Sequence, residues 1–479
     1  MVINQEILDY TLETAKKKGV KEIIIKLVDR TEHQIRFSNS QIDIFKEWNN
    51  KLMEVFLSIG RKYLTLGRKI NVITIQNPTK ENIEEALTRA VKSLKTLPKS
   101  LLYWGMEESP QKYEKMSGLY DSRIKGFPEK APELVNAAIN ASLEAGAKKT
   151  AGVLYFGDIN TGVLTGYGNG GTYKSSYYRL TMRSFVDAES SGQDLIVGRN
   201  MENLEKKFIA TGTNAGQLAK KAVGGKQGKA GKYDVILSPT VAANVFNHLA
   251  DGANPIYIIG RMSCLRGQFN KSIGPQKLNI YDDATIPEGL NSRPFDFEGV
   301  SSQRTPLVED GVFSGMIQNT SSAKIWKWLN WLKLKFGQGF STTGNSYLGG
   351  LMDEDIGPRV LAPIPSNYVY SAGDYSLQEI IEESKKPTIY ITSNWYTRFT
   401  NFMEGRFSTI PRDALLLIED GEIKRPVRKL RLTETLLGML NRIEAMGNDP
   451  KQINWWEVTT PTFIPTVKIK NCQMTAATE

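Results

Sequence analysis

The chain has 479 residues, of which 40% are hydrophobic and 23% charged, an ordinary folded composition with room for two or three domains. Its 61 basic and 51 acidic residues leave a net charge of +10. Most lysines alternate with glutamates, and no zinc-finger, RNP or helix-turn-helix signature accompanies them, so the charge favours solubility over nucleic-acid binding.

The sequence also argues against membrane insertion and secretion. No run of about 18 apolar residues predicts a transmembrane helix, and the N-terminal residues lack the pattern of a signal peptide. Cys264 and Cys472 are too few for a disulfide scaffold. A closed four-ligand zinc site would need both of them together with His33 and His248. These features predict a cytoplasmic protein without membrane contact.

The first half of the chain predicts helices that flank antiparallel strands. An amphipathic pattern predicts a helix from Asn4 to Lys18, and Thr79 caps a second helix that runs to Leu97. Turn signals stand at Asn39-Ser40, Asn49-Asn50 and Gly60. The strands predicted between the two helices are Glu22–Val28, His33–Phe37, Ile42–Trp48, Leu52–Ile59 and Ile70–Ile75.

The same order of elements recurs further along. A helix is predicted from Ala131 to Ala145, and a second one near Asn203–Val223. The strands predicted between them are Thr150–Phe156, Gly162–Tyr167 and Thr172–Asp187. The order of helix, antiparallel strands and helix therefore occurs twice, which indicates an internal duplication.

The glycine-rich, basic segment from Ala222 to Lys232 predicts a boundary between an N-terminal domain, 1–225, and a C-terminal domain, 230–479. Beyond it, short strands dominate, and helices are predicted at Ser376–Glu383 and Arg431–Met446. The predicted fold class is therefore α+β: antiparallel sheets flanked by helices, then a β-rich, barrel-like domain.

Two glycine-rich stretches resemble nucleotide-binding loops only superficially. Gly166–Gly171 matches G-x-G-x-x-G, but Asn169-Gly170 is a hairpin signal and a tyrosine-rich strand pattern follows. Gly225–Lys232 lacks the Ser/Thr of a phosphate loop and precedes a strand, so we interpret it as a linker. The aromatic run from Trp326 to Leu332 favours packing against the same protein over a membrane surface or a partner groove.

The segment Leu237–Asp251 predicts a helix, because Ser238-Pro239 is a favourable helix start. This segment and those after it resemble the TldD/PmbA family, once called modulators of DNA gyrase. The further matching pieces are Ser263–Gln268, Leu278–Asp283, Pro294–Val300, Leu307–Phe313, Ser341–Asn345, Gly373–Ile380, Gly405–Ser408, Ile418–Pro426 and Ala445–Asp449.

The resemblance implies a two-domain subunit that dimerises around a cavity and handles unfolded or short peptides. Active TldD-type subunits bind zinc through H-E-x-x-x-H and a distant cysteine, whereas PmbA-type partners, also called TldE, lack these ligands. Asn244, Val245 and Leu249 stand here at the positions of the first histidine, the glutamate and the second histidine. Arg406-Phe-Ser408 provides no thiolate. The chain therefore resembles the PmbA-like side, and no zinc cofactor is expected.

Three hypotheses follow. The first is a non-catalytic subunit that binds peptide, with Asn244, His248, Asp282 and Glu298 as candidate contacts, and that pairs with a TldD-type subunit or with itself. The second is an active metallopeptidase whose unconventional ligands are His248, Asp251, Asp282 and Glu298. The third is a stand-alone binding or regulatory protein of the gyrase-modulator type. For His248 and for Asp282-Asp283, ordinary hydrogen bonding within the fold is the plainer interpretation.

Overall fold

A computed structural model of the chain describes residues 3–59, 67–331, 341–350 and 359–476. Over these residues, helices flank one antiparallel sheet in the N-terminal part, and strands dominate the C-terminal part. The α+β prediction is thereby confirmed. Within the described residues, no helix has the length and apolar character needed to cross a membrane.

The N-terminal part is organised by one sheet which, over the described residues, has seven strands in the order β4-β3-β2-β1-β5-β6-β7. The strands are β1 Glu22–Ser38, β2 Gln41–Ile59, β3 Arg68–Gln76, β4 Lys99–Ser100, β5 Lys149–Thr165, β6 Gly170–Phe185 and β7 Ser191–Gly198. The helices are α1 Gln5–Lys17, α2 Lys80–Leu94, α3 Phe127–Glu144 and α4 Leu204–Lys221.

The element order α1-β1-β2-β3-α2 recurs as α3-β5-β6-β7-α4, and the two units join where β1 pairs with β5. Ile23 and Ile25 of β1 pack with α1 and α2, while Ile35 and Phe37 of the same strand pack with α3 and α4. Side chains alternate along a strand, so these odd-numbered residues share one face. Both helix pairs therefore cover the same side of the sheet, which supports the predicted duplication.

Two strands are longer than predicted. The prediction of a turn at Asn49-Asn50 is wrong. Asn49 instead pairs with Thr31 inside the β1–β2 ribbon, and their side chains form a 2.8 Å hydrogen bond. The polar residues suggested a turn, but cross-strand bonds keep them extended. The turn at Asn39-Ser40 is confirmed, with both residues at positive φ. The turn predicted at Gly60 lies outside the described residues.

The C-terminal part contains the strands β8 Lys226–Gln227, β9 Gly231–Leu237, β10 Ile280–Asp283, β11 Arg304–Glu309, β12 Val312–Phe313, β13 Ser346–Gly350, β14 Arg359–Pro363, β15 Tyr368–Tyr370, β16 Thr388–Asn401, β17 Arg406–Glu419, β18 Glu422–Arg428, β19 Leu430–Thr435, β20 Ile443–Met446, β21 Lys451–Trp455, β22 Val458–Ile464 and β23 Val467–Ala476. Its helices are α5 Pro239–Gly252, α6 Pro255–Ile259, α7 Thr320–Trp331, α8 Leu377–Glu382 and α9 Leu436–Leu440.

Five of these strands close into a barrel in the order β16-β9-β23-β19-β17, with β17 pairing back to β16. A second sheet has the order β12-β11-β10-β15-β22-β21. The prediction of a barrel-like part is confirmed. Closure pairs the edges of the barrel strands, which hides their backbone donors and acceptors.

The helix predicted over Arg431–Met446 is wrong. Leu430 and Leu432 are buried at alternate positions of β19, which pairs with β17 and β23. The rest of the predicted range holds the short helix α9 and the strand β20. Burial on a period of two inside the barrel overrides the helical tendency of the individual residues.

The hairpin predicted at Gly166–Gly171 is confirmed. This segment joins β5 to β6, with Gly168 and Gly170 at positive φ. The basic glycine-rich segment leads into β9, but Lys226 and Gln227 within it form β8 and pair with Val427 and Arg428 of β18. Trp326 is fully buried in the C-terminal core, whereas Trp331 is 77% exposed. Leu332, which ends the aromatic run, lies outside the described residues.

Candidate functional site

Helix α5 begins where the sequence predicts. The Ser238 hydroxyl donates to the Thr392 carbonyl at 2.9 Å and accepts a long bond from the Val241 amide. Leu237 pairs in parallel with Ile391, which places α5 directly after β9 and beside β16. The sheet register therefore positions the helix that resembles the family's metal-binding helix.

The three motif positions on α5 point into the protein. Val245 and Leu249 are buried in the C-terminal apolar core, and Asn244 has no exposed surface. Neither Val245 nor Leu249 carries an atom that can bind a cation or accept a proton. The helix face that would carry two histidines and a glutamate therefore serves packing here.

Asn244 takes part in a buried polar network, which we call the Asn244 network: Asn244, Asn394, Thr397, Thr409 and Glu457. The Asn244 Nδ2 group lies 3.2 Å from Oδ1 of Asn394, 3.4 Å from its carbonyl oxygen and 3.3 Å from Oε2 of Glu457. Asn394 in turn donates to the hydroxyls of Thr409 at 2.9 Å and Thr397 at 3.3 Å.

Glu457 anchors this network from the turn between β21 and β22. Its side chain is 4% exposed. It accepts the backbone amides of Tyr396 and Thr397 at 2.9 and 3.0 Å, and Arg398 lies 3.6 Å away. The carboxylate is therefore engaged by donors on several sides.

Zinc does not fit this donor set. Three oxygen atoms surround the Asn244 amide nitrogen, so the side chain must turn its NH₂ group toward them. An NH₂ group has no lone pair for a cation, and the remaining carboxamide oxygen of Asn244 is a poor zinc ligand compared with a histidine nitrogen or a cysteine thiolate. Among the described residues, no group of three or more His, Cys, Asp or Glu side chains converges as a metal site requires.

His248 lies one turn after Asn244 and lines a cavity of about 580 Å³. The lining is mostly apolar and includes Tyr257, Phe399 and Phe402. The His248 ring meets Phe399 edge-on with centroids 4.7 Å apart, and its Nδ1 atom lies 3.7 Å from a carboxylate oxygen of Asp251. Burial, helped by the nearby positive charge of Arg398, lowers the pKa of His248 to about 4. The imidazole is therefore neutral near pH 7.

Asp282 and Glu298 lie in environments different from that of His248. Asp282 is 1% exposed and accepts three hydrogen bonds, from Asn345 and from the amide and hydroxyl of Ser366. Burial raises the pKa of Asp282 to about 6. Glu298 is fully buried, and burial together with the charge of Asp296 raises its pKa to about 8.

Of the four residues suggested as peptide contacts, His248 lines the large cavity, whereas Asn244, Asp282 and Glu298 are enclosed by the fold. Asp251, suggested as a metal ligand, lines the same cavity as His248.

Sequence reasoning missed Glu457, Asn394 and the aromatic wall formed by Phe399 and Phe402. The acid at 457 directly follows Trp455-Trp456 and belongs to none of the motifs or matching segments named in the sequence. Its partner Asn244 is 213 positions away in the chain, so no local spacing links the two residues.

Comparisons with known proteins agree with this architecture. A sequence model of the PmbA/TldA metallopeptidase C-terminal domain matches residues 230–476, just over half of the chain. The chain belongs to the PmbA/TldD family.

Curated relatives are named as metalloproteases. A metalloprotease of Methanothermobacter thermautotrophicus is 27% identical over 52% of this chain and 50% of its own length. Metalloprotease PmbA of Escherichia coli O157:H7 is 25% identical over 67% of this chain and 66% of its own. The chain thus spans about half to two thirds of the length of these relatives.

Solved structures share the fold. TldE from Thermococcus kodakarensis has a TM-score of 0.82 at 17% identity, with 98% of this chain and all of that one covered. A Thermotoga maritima protein named as a candidate modulator of a DNA gyrase has a TM-score of 0.81 at 22% identity, over the same shares of the two chains.

Proposed function

We propose that this chain is a metal-less, non-catalytic subunit of a PmbA/TldD-type metallopeptidase assembly. It binds unfolded or short peptides and completes the chamber of an active partner, a TldD-type subunit, in a cytoplasmic dimer. Alternatively, two copies of this chain pair with each other. Membership of the family and the loss of the motif residues together support it.

The orientation of Asn244 carries the proposal. Its buried amide donates toward Asn394 and Glu457, so the first position of the metal motif joins the barrel strand β16 to the turn between β21 and β22. With Val245 and Leu249 in the core, α5 presents no general base beside this position, whereas zinc peptidases need one to deprotonate the metal-bound water.

The cavity beside His248 supports the peptide-binding part of the proposal. A mostly apolar cleft of about 580 Å³ with a few polar groups has the size and character of a ligand site. Phe399 and Phe402 provide an apolar wall, and the neutral His248 imidazole offers one donor and one acceptor. The cleft therefore suits an apolar peptide side chain with a neighbouring backbone amide.

The test compares the chain alone with the chain mixed with a TldD-type subunit that carries H-E-x-x-x-H. We expect the lone chain to contain negligible zinc by elemental analysis and to cleave no unfolded protein substrate. The mixture should show cleavage that EDTA abolishes, and the two chains should copurify. Phe399→Ala should weaken peptide binding, whereas Phe45→Ala, at an exposed aromatic residue of β2, should not.

About one zinc per chain, with EDTA-sensitive cleavage by the lone chain, would contradict the proposal. So would binding to a folded partner such as gyrase with no effect on the activity of any TldD-type subunit.

A further inference from the structure

A second cavity, of about 220 Å³, lies between the N-terminal sheet and the loop 290–297 of the C-terminal part. The strand register defines its floor. Lys26 and Arg30 of β1 point to the same face, and their partners on β5, Val163 and Ile159, line the cavity beside them. This is the face of the sheet opposite the helix pairs.

The cavity is rich in positive charge. Lys26, Arg30, Arg199 and Arg293 line it, and Asp296 is the one carboxylate among the described lining residues. The Asp296 carboxylate is already hydrogen-bonded to the main chain, since its two oxygens accept three backbone amides at 2.8 to 2.9 Å.

Arg199 is buried without charge compensation. Its guanidinium donates four hydrogen bonds, all to main-chain carbonyls, and among the described residues no carboxylate accepts from it. It is 4% exposed, and burial lowers its pKa to about 10. The carbonyls satisfy its donors but leave its positive charge unpaired.

Two other arginines keep unsatisfied donors. The Nε and Nη2 atoms of Arg293 and the Nε atom of Arg30 are buried without a hydrogen-bond partner. Buried donors normally have partners because an unsatisfied one is costly. Arg30 also lies 3.3 Å from Glu32, and Lys26 lies 3.6 Å from Glu54, so these two charges are partly offset.

We propose that this cavity is a binding site for a small oxyanion, namely a carboxylate or phosphate group. Its oxygens would accept from the guanidinium groups of Arg293 and Arg30, which line the cavity, and its charge would offset that of Arg199. The volume lies below the range of about 300–1,000 Å³ typical of drug-sized ligands, which suits a small anion or one end of a chain. The inference does not depend on the proposed peptidase role.

The test is isothermal titration of the full chain at constant ionic strength with four probes: inorganic phosphate, acetate, trialanine as the free acid and trialanine amide. We expect saturable binding of at least one oxyanion and none of the amide. Arg293→Gln should weaken binding about tenfold or more, which equals about 1.4 kcal/mol. Arg30→Gln provides a second variant if Arg293→Gln fails to fold.

Arg89→Gln is the matched control, because the Arg89 side chain is 73% exposed on helix α2. It should bind like the wild type. Binding of phosphate and acetate but not of the tripeptide acid would identify a free anion as the ligand. Binding of the tripeptide acid would identify a peptide C terminus. The proposal is overturned if no probe saturates the wild type, or if the folded arginine variants bind as tightly as Arg89→Gln.

Discussion

Replacing Glu457 by alanine tests whether the Asn244 network holds this region together. The carboxylate accepts the amides of Tyr396 and Thr397 and the side-chain amide of Asn244, and Arg398 lies 3.6 Å away. Alanine removes all of these acceptors at once. The 4% exposure of Glu457 leaves little access for water to replace them.

The structure allows the cost to be worked out. A buried donor left without an acceptor costs about 1–3 kcal/mol. Tyr396 is 42% exposed, so water can reach its amide, and two donors remain, on Thr397 and Asn244. Glu457→Ala should therefore lower the free energy of unfolding by about 3 kcal/mol. Glu457→Gln keeps one oxygen for these two donors, and should cost about 1 kcal/mol.

Urea unfolding followed by tryptophan fluorescence measures these differences, because Trp395 and Trp456 lie beside the network with ring centroids 5.7 Å apart. Glu404→Ala is the control. It removes an exposed carboxylate paired with Arg406 at 2.8 Å and should change stability by less than about 0.5 kcal/mol. A Glu457→Ala protein as stable as the Glu404→Ala protein would refute the reasoning.

Three further predictions concern titratable groups whose pKa the fold shifts. The folded state binds the proton of Glu298 more tightly than the unfolded state does, because folding raises the pKa of Glu298 from 4.5 to about 8. The free energy of unfolding should therefore fall as the pH rises from about 4.5 to about 8. For Glu298→Gln, the free energy of unfolding measured against pH should give a flatter profile. The imidazole of His248, which lines the cavity, should show no NMR titration between about pH 6 and pH 8, since desolvation lowers its pKa to about 4; a midpoint above 6 would contradict this shift. Burial raises the pKa of the Cys264 thiol to about 11. This thiol should therefore react with a maleimide at least tenfold more slowly in the native protein than in urea, and a thiol-labelling time course measures the difference.

Features that depend on neighbours in the chain were predictable from the sequence. The cap at Thr79 and the helix start at Ser376 form as expected, because a cap hydroxyl needs only an amide three residues away. The start of α5 at Pro239 has the same local origin. The absence of the metal motif was also readable, because it depends only on which residues stand at 244, 245 and 249.

Features that depend on distant segments were decided by the tertiary structure. Closure of the barrel made Arg431–Thr435 a strand, against its helical pattern. Packing of the β21–β22 turn beside β16 brought Glu457 within 3.3 Å of Asn244 across 213 positions. The register of β1 on β5 placed Lys26 and Arg30 in one cavity with Arg199 and Arg293. Local patterns record a residue's own preference, whereas burial, pairing and charge compensation depend on which surface the rest of the chain brings against it.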